Sequence, residues 1–281
     1  MRIGAMTADM GSLSVALEHA RTLATAGYDT VWVPQLLGVD ALMTAALLGR
    51  QVPGIEIGTA VVATYPRHPL VMAQQALTAQ AACGGRLTLG IGVSHRFVIE
   101  GIYGGSFDRP RSHLEDYLKL LLPALRGEQH VSVADAAPPS VLVAAMGPRM
   151  LELAASAADG TITWMTGPRT LEHHVVPAIT TTGPRRVVAG LPVGVTADVS
   201  AAREQVAHDF RIYGRVPSYR AMLDREGADG PADVAILGDE ERVAAQVQAL
   251  ADIGVTDLLV AEFGDDDTRR LTRKTLGEIA R

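Results

Sequence analysis

The sequence predicts an α/β chain closed into a (β/α)8 barrel, and three observations lead there. Eight short segments rich in β-branched residues recur along the 281 residues. Helical stretches with apolar residues at i, i+3 and i+4 spacing lie between them. The length suits a barrel of this kind, which takes roughly 250 residues. Strand then helix, repeated, means a parallel sheet with right-handed crossovers. Eight such units favour closure over an open doubly wound sheet, and no GxGxxG follows the first strand to argue otherwise. Residues 1–281 are read as a single domain.

The strands are expected at RIGAM (2–6), TVWVP (30–34), IEIGTAVVA (55–63), RLTLGIGV (86–93), SVLVAAM (140–146), TITWM (161–165), RVVAGLPVGV (186–195) and DLLVAEF (257–263). Their near-continuous apolar character marks strands buried on both faces, as helices on the outside of a barrel require. LSVALEHARTLATAG (13–27), DALMTAALLGRQV (40–52), LVMAQQALTAQAAC (70–83) and HLEDYLKLLLPALRGE (113–128) carry the helical period. Two connections exceed the repeat: an insertion at 94–110 after the fourth strand, and an extended helical region at about 200–234 after the seventh. Connections longer than about 15 residues are usually lids or binding loops.

Composition narrows the function. The chain carries 31 acidic and 25 basic residues, a formal charge of −6, with no long basic patch, so nucleic acid is not an expected partner. No window holds 18 uninterrupted apolar residues and the N-terminus runs directly into a strand, so a soluble, cytoplasmic protein is expected, with no membrane partner. The single cysteine, Cys83, excludes an internal disulfide and reads as a buried inert thiol. No HExxH, CxxC or carboxylate cluster with ligand spacing appears, so no metal is expected, and GxSxG is absent.

In a (β/α)8 barrel the chemistry sits on the loops at the C-terminal ends of the strands. Those positions hold Thr7 to Asp9, Pro34-Gln35, Thr64 to Pro69, Ser94 to Arg96, Gly147 to Arg149, and Thr166 to Arg169. Gly147-Pro148 opens a helix, where proline suits the first turn and free backbone N–H groups can hold a phosphate; the same dipeptide also serves as an ordinary stop and start. His68 and His95 are candidate proton donors, although an exposed loop histidine is ordinarily just a hydrogen-bonded surface residue. His173 and His174 are neighbours on a helix and do not share a face, which makes them a poor metal pair.

Three stretches, in this order, resemble the luciferase-like flavin and deazaflavin oxidoreductases, in particular their actinobacterial coenzyme F420-dependent branch. They are GTAVVATYPRHPLVMAQQALTAQAACGGRLTLGIGVSHR (58–96), IYGGSFDRPRSHLEDYL (102–118) and VLVAAMGPRMLELAASAADGTITWMTGP (141–168). The resemblance implies a TIM barrel of the luciferase-like type that binds F420, with FMN as the alternative cofactor. It implies a bulge in the third strand with a non-prolyl cis peptide at Ala60-Val61 backing the cofactor ring. Ala60, Val61 and Thr64 would line that ring. Val93 and Ser94 would lie beside the ribityl chain or its phosphate, Met146, Gly147 and Pro148 would offer backbone groups to the phosphate tail, and Trp164, Thr166 and Gly167 would flank it.

The implied activity is hydride transfer from reduced F420 to an electron-poor C=C or C=N bond of a small organic substrate. The rival readings are an FMN-dependent monooxygenase and a non-catalytic deazaflavin-binding protein. His95 is the first candidate proton donor, because an imidazole titrates near working pH, with Asp9, Gln35 and Tyr103 in reserve. Similar sugar-phosphate dehydrogenases have a His after the second strand and a Glu after the fourth. Gln35 and His95 stand there in this chain, so the resemblance does not extend to that acid and base. A homodimer is also implied.

Overall fold

The computed structural model describes residues 1–7 and 11–280. Eight parallel strands close a barrel: β1 (Arg2–Met6), β2 (Thr30–Val33), β3 (Glu56–Thr59) continued by β4 (Val62–Ala63), β5 (Leu87–Gly92), β6 (Ser140–Ala144), β7 (Gly160–Trp164), β8 (Arg186–Val195), and β10 (Asp257–Glu262). Each pairs with its neighbour in chain order, and β10 closes the ring by pairing with both β8 and β1. Every segment expected to be a strand is one. The short strand β9 (Ile236–Gly238) was not anticipated; it adds to the far end of β8, where Val193 to Val195 extend past the barrel. Three residues are too few to show a period.

The interior is filled in layers, as a closed eight-stranded barrel demands. At the N-terminal end Arg186 donates to Asp257 at 3.0 Å, to Glu56 at 2.7 Å and to Thr88 at 2.9 Å, and Arg2 donates to Glu56 at 2.8 Å. This network seals that end. Above it Trp32, Leu142, Ile162, Val188 and Leu259 are buried together. Trp32 has room because its neighbours are small: a methyl group at Gly4 would lie 2.6 Å from Trp32 Nε1, and one at Gly58, its register partner, would strike the indole. The uppermost layer, Met6, Ala60, Val61, Ala144 and Trp164, is only partly buried. The barrel is therefore closed below and open at its C-terminal end, with an apolar floor.

Outside, α1 (Leu13–Ala26), α2 (Ala41–Gln51), α3 (Pro69–Ala82), α4 (Arg96–Gly101), α5 (Pro110–Leu125), α6 (Pro148–Ala157), α7 (Pro168–Thr170), α8 (Val176–Ile179), α9 (Val199–Asp209), α10 (Pro217–Glu226), α11 (Glu240–Asp252) and α12 (Asp266–Ile279) surround the strands. Side chains cap their starts where the sequence supplies short polar residues: Asp40 accepts from Met43 N at 3.0 Å and Asp265 from Thr268 N at 2.8 Å. Cys83 is buried against α2 and its Sγ donates to Ala45 O at 3.5 Å. Burial raises the thiol pKa to about 11, which keeps it protonated and unreactive. Among the described residues no helix is long and apolar enough to cross a membrane, and no group of three or more His, Cys, Asp or Glu could hold a metal ion.

Candidate functional site

The open barrel end is shaped first by the interruption between β3 and β4. β3 pairs with β5 as far as Gly58 opposite Thr88, and β4 resumes with Val62 opposite Ile91. Residues 59–61 thus oppose only 89 and 90, which is a bulge. The Ala60-Val61 peptide within it is cis. Thr59 bridges the gap with its side chain: Oγ1 donates to Gly90 O at 2.8 Å and accepts from Gly90 N at 2.9 Å. Glycine is needed opposite, because a Cβ on Gly90 would run into the carbonyl of Thr59. Ala60 and Val61 are left half-buried on the floor beside Met6, Ala144 and Trp164.

Past the bulge, TYPRHP makes a turn, with Arg67 N–H donating to Thr64 O at 3.2 Å, and four of its side chains are held. Thr64 is fully buried, with its hydroxyl 3.0 Å from Nε2 of His113 on α5. Tyr65 stacks on that imidazole at 3.7 Å between centroids and donates to Asp108 O at 2.8 Å. Arg67 pairs with Asp40, and His68 caps α3 by accepting from Leu70 N at 3.2 Å. His68 is therefore a capping residue through Nδ1. Burial lowers the pKa of His113, partly opposed by Asp116.

On the β5 side, Val93 and Ser94 are half-buried, and Ser94 is left-handed with φ 61°. That turn delivers His95 to the rim. Its Nε2 lies 3.2 Å from the hydroxyl of Tyr219 on α10, and its ring stacks on Phe97 at 5.7 Å. Burial lowers the pKa of His95. The aromatic contacts continue across the opening: Tyr219 meets Tyr213 edge-on at 5.3 Å, and Tyr213 meets Trp164 edge-on at 5.5 Å. The region after β8 therefore lies over the β5–β7 side of the opening, where long connections in such barrels form lids.

Gly147 is the N-cap of α6, with Pro148 at the first turn and no side-chain cap. A Cβ on Gly147 would meet nothing within 4 Å, so the approach to this helix start is open. Met146 is half-buried and its carbonyl accepts from Nε2 of His174 at 2.8 Å. The next loop differs. Thr166 is fully buried and its hydroxyl donates to Trp164 O at 3.3 Å. At Gly167 the chain is covered by Glu226, the last residue of α10, whose carboxylate accepts from Arg169 N at 3.0 Å and Thr170 N at 2.7 Å. A Cβ on Gly167 would collide with that carboxylate.

Of the remaining candidates, Gln35 is held on its own loop, donating to Leu36 O at 3.2 Å and accepting from Ala41 N at 3.1 Å. Asp9 lies outside the described residues. Tyr103 is exposed. The structure thus gathers Ala60, Val61, Val93, Ser94, His95, Gly147 and Trp164 around one opening, encloses Thr64 and Thr166, and adds His113, Tyr213, Tyr219 and Glu226. One signal could have flagged the tyrosines. In a chain with only 4% aromatic residues, Phe210, Tyr213 and Tyr219 fall close together in the long segment after the seventh strand.

The model of the luciferase-like monooxygenase family matches residues 1–257. The chain belongs to the luciferase-like monooxygenase family. A Mycobacterium tuberculosis protein named as a coenzyme F420-dependent oxidoreductase is 30% identical, over 54% of this chain and 52% of that protein. That match spans about half the length of the relative. Among solved structures, the coenzyme F420-dependent tetrahydromethanopterin reductase of Methanopyrus kandleri superposes with a TM-score of 0.79 at 18% identity, covering 99% of this chain and 97% of that one. The FMN-bound oxygenating constituent of 3,6-diketocamphane monooxygenase from Pseudomonas putida superposes with a TM-score of 0.77 at 14% identity, covering 100% and 97%. At these identities the two superpositions establish the luciferase-like barrel fold alone.

Proposed function

We propose that this luciferase-like protein is a coenzyme F420-dependent oxidoreductase, acting as a reductase on an electron-poor C=C or C=N bond of a small organic molecule. The observation that supports the reading is the bulge at residues 59–61, with Ala60 and Val61 half-buried in the apolar layer at the open barrel end. The uncapped helix start at Gly147, with open space in front of it, suits the phosphate of the same ligand. The names of the M. tuberculosis relative and of the M. kandleri structure favour F420. FMN, held by the P. putida structure, is the alternative cofactor.

When bound, reduced F420 supplies a hydride from a ring carbon and reacts poorly with oxygen. The chain's own residues orient and enclose. Ala60 and Val61 would back one face of the cofactor ring and leave the other to substrate. Gly147 and the first turn of α6 hold the phosphate end. His95 meets the polar atom of the substrate at the rim. Tyr213 and Tyr219 limit water on the β5–β7 side. A homodimer is part of the reading, supported by exposed Leu36, Leu37, Met43 and Leu47 on α2 and the loop before it.

The test is a panel of unsaturated carbonyls and imines mixed with the protein and reduced F420 under anaerobic conditions. Oxidation of the deazaflavin by a member of the panel, and not by buffer, is the expected result. Binding of F420 with no oxidation by any member would leave a deazaflavin carrier. Oxygen-dependent turnover with reduced FMN alone would make the protein a monooxygenase.

A further inference from the structure

We propose that Tyr219 is a positioning residue for His95: its hydroxyl donates to Nε2, fixes the imidazole as the neutral Nδ1–H tautomer, and makes His95 a neutral hydrogen-bond donor to substrate. The inference rests on the reading of the site given above and refines its chemistry.

The geometry is specific. Tyr219 Oη and His95 Nε2 are 3.2 Å apart, and the hydroxyl has no other hydrogen-bond partner among the described residues. The two rings meet edge to face at 5.2 Å, with Phe97 stacked on the far side of the imidazole. His95 begins α4 as its N-cap, yet its side chain makes no capping bond, so Nδ1 is the ring nitrogen left for a ligand. A phenol is a strong donor and the unprotonated imidazole nitrogen a strong acceptor, so donation from Tyr219 is the favoured sense.

Three surroundings keep both groups uncharged. Burial disfavours the imidazolium, burial raises the pKa of the Tyr219 phenol with Tyr213 adding to the rise, and among the described residues the rings facing the imidazole are Tyr219 from α10 and Phe97 from α4. Tyr219 is itself held from the other end of its helix, where Glu226 accepts from Arg169 N and Thr170 N. Helix α10 is thus tied to the β5 loop by Tyr219 and to the β7 loop by Glu226.

A neutral imidazole is a poor source of a whole proton and a good stabiliser of developing negative charge. That selects the substrate: a C=C bond conjugated to a carbonyl. With reduced F420 bound, a hydride from it would form a C–H bond at the carbon remote from the carbonyl, and the π pair would move onto the carbonyl oxygen. The resulting enolate oxygen is held by Nδ1–H of His95. Water would then protonate the carbon next to the carbonyl, the hydroxide left would take the proton that the deazaflavin releases on oxidation, and His95 and Tyr219 would end as they began.

The experiment is nitrogen NMR of 15N-histidine-labelled protein without cofactor, with the His95 signals assigned by their loss in His95→Gln. The wild type is expected to show a protonated Nδ1 and an unprotonated Nε2. Tyr219→Phe, which keeps the ring contacts, should lose this preference and raise the titration midpoint of His95 by about half a unit or more, because a donor to the neutral form has been removed. With reduced F420 and an enone, Tyr219→Phe should lower kcat by roughly tenfold or more and leave KM for F420 unchanged. A wild type with protonated Nε2, or a tautomer unaffected by Tyr219→Phe, overturns the proposal. If the NMR result holds while wild type fails to oxidise reduced F420, the proposed function is wrong and the Tyr219–His95 arrangement stands.

Discussion

Thr59 and Gly90 complete the barrel through one hydroxyl, which donates to the Gly90 carbonyl at 2.8 Å and accepts from its N–H at 2.9 Å. A side chain here does what backbone does elsewhere in the β3–β5 ladder, and so the strand can carry an extra residue without orphaning its neighbour. Thr59→Val removes both bonds while keeping the shape, leaving the buried N–H of Gly90 without its partner, while the Gly90 carbonyl stays in the ladder with β4. We expect a loss of about 1–3 kcal/mol in urea denaturation, together with weaker cofactor binding. Unchanged stability would mean that the bulge is held by packing alone.

Gly147→Val separates folding from binding. The space in front of Gly147 is open within the protein, and its φ of −79° suits any residue. Thermal stability should therefore hold, while affinity for F420 falls about tenfold, close to 1.4 kcal/mol. A lower melting temperature with unchanged affinity would move the phosphate elsewhere.

Glu262 sets the acid side of the stability profile. It is buried at the end of β10, accepting from Arg273 Nε at 2.8 Å and lying 3.1 Å from Nε2 of His19. Burial alone would raise its pKa, but bonds from His19 and Arg273 outweigh that and lower it. A carboxylate with a depressed folded pKa contributes stability that is full above its unfolded value, near 4.3, and is lost as pH falls through the folded value. Glu262→Gln should therefore cost about 3 kcal/mol or more at pH 7 and flatten the decline below about pH 4.5, read from urea midpoints at several pH values. A parallel decline in both proteins would assign the acid sensitivity to other carboxylates.

The exposed apolar residues predict assembly. Met43 is 68% exposed and Leu37 65%, an unusual amount for large apolar side chains in one neighbourhood. Light scattering at micromolar concentration should give twice the 29.7 kDa chain mass, and a Met43→Glu, Leu47→Glu double variant should give a monomer. A monomeric wild type removes the homodimer.

The strands were legible because β-branched runs such as IEIGTAVVA and RVVAGLPVGV have no competing reading between helical periods. Gly147-Pro148 was legible as a helix start because the signal is local. The bulge came from resemblance: nothing in TAVVA itself says where the ladder slips by a residue, since that depends on Gly90 admitting Thr59. His113, Tyr219 and Glu226 were not legible for a related reason. Thr64 and His113 are 49 residues apart, and His95 and Tyr219 are 124 apart, so only the closed barrel brings them together. Gln35 and His68, read as loop residues at strand ends, are occupied with the helix starts that follow them.

Cofactor choice separates a deazaflavin enzyme from a flavin one. Titrating the protein with oxidised F420 and separately with FMN, followed by absorbance and fluorescence, measures whether the floor at Ala60 and Val61 and the helix start at Gly147 were built for a deazaflavin. Saturable F420 binding in the micromolar range or tighter, lost in Gly147→Val, with FMN at least tenfold weaker, is the predicted result. Tight FMN binding with no response to F420 would contradict it.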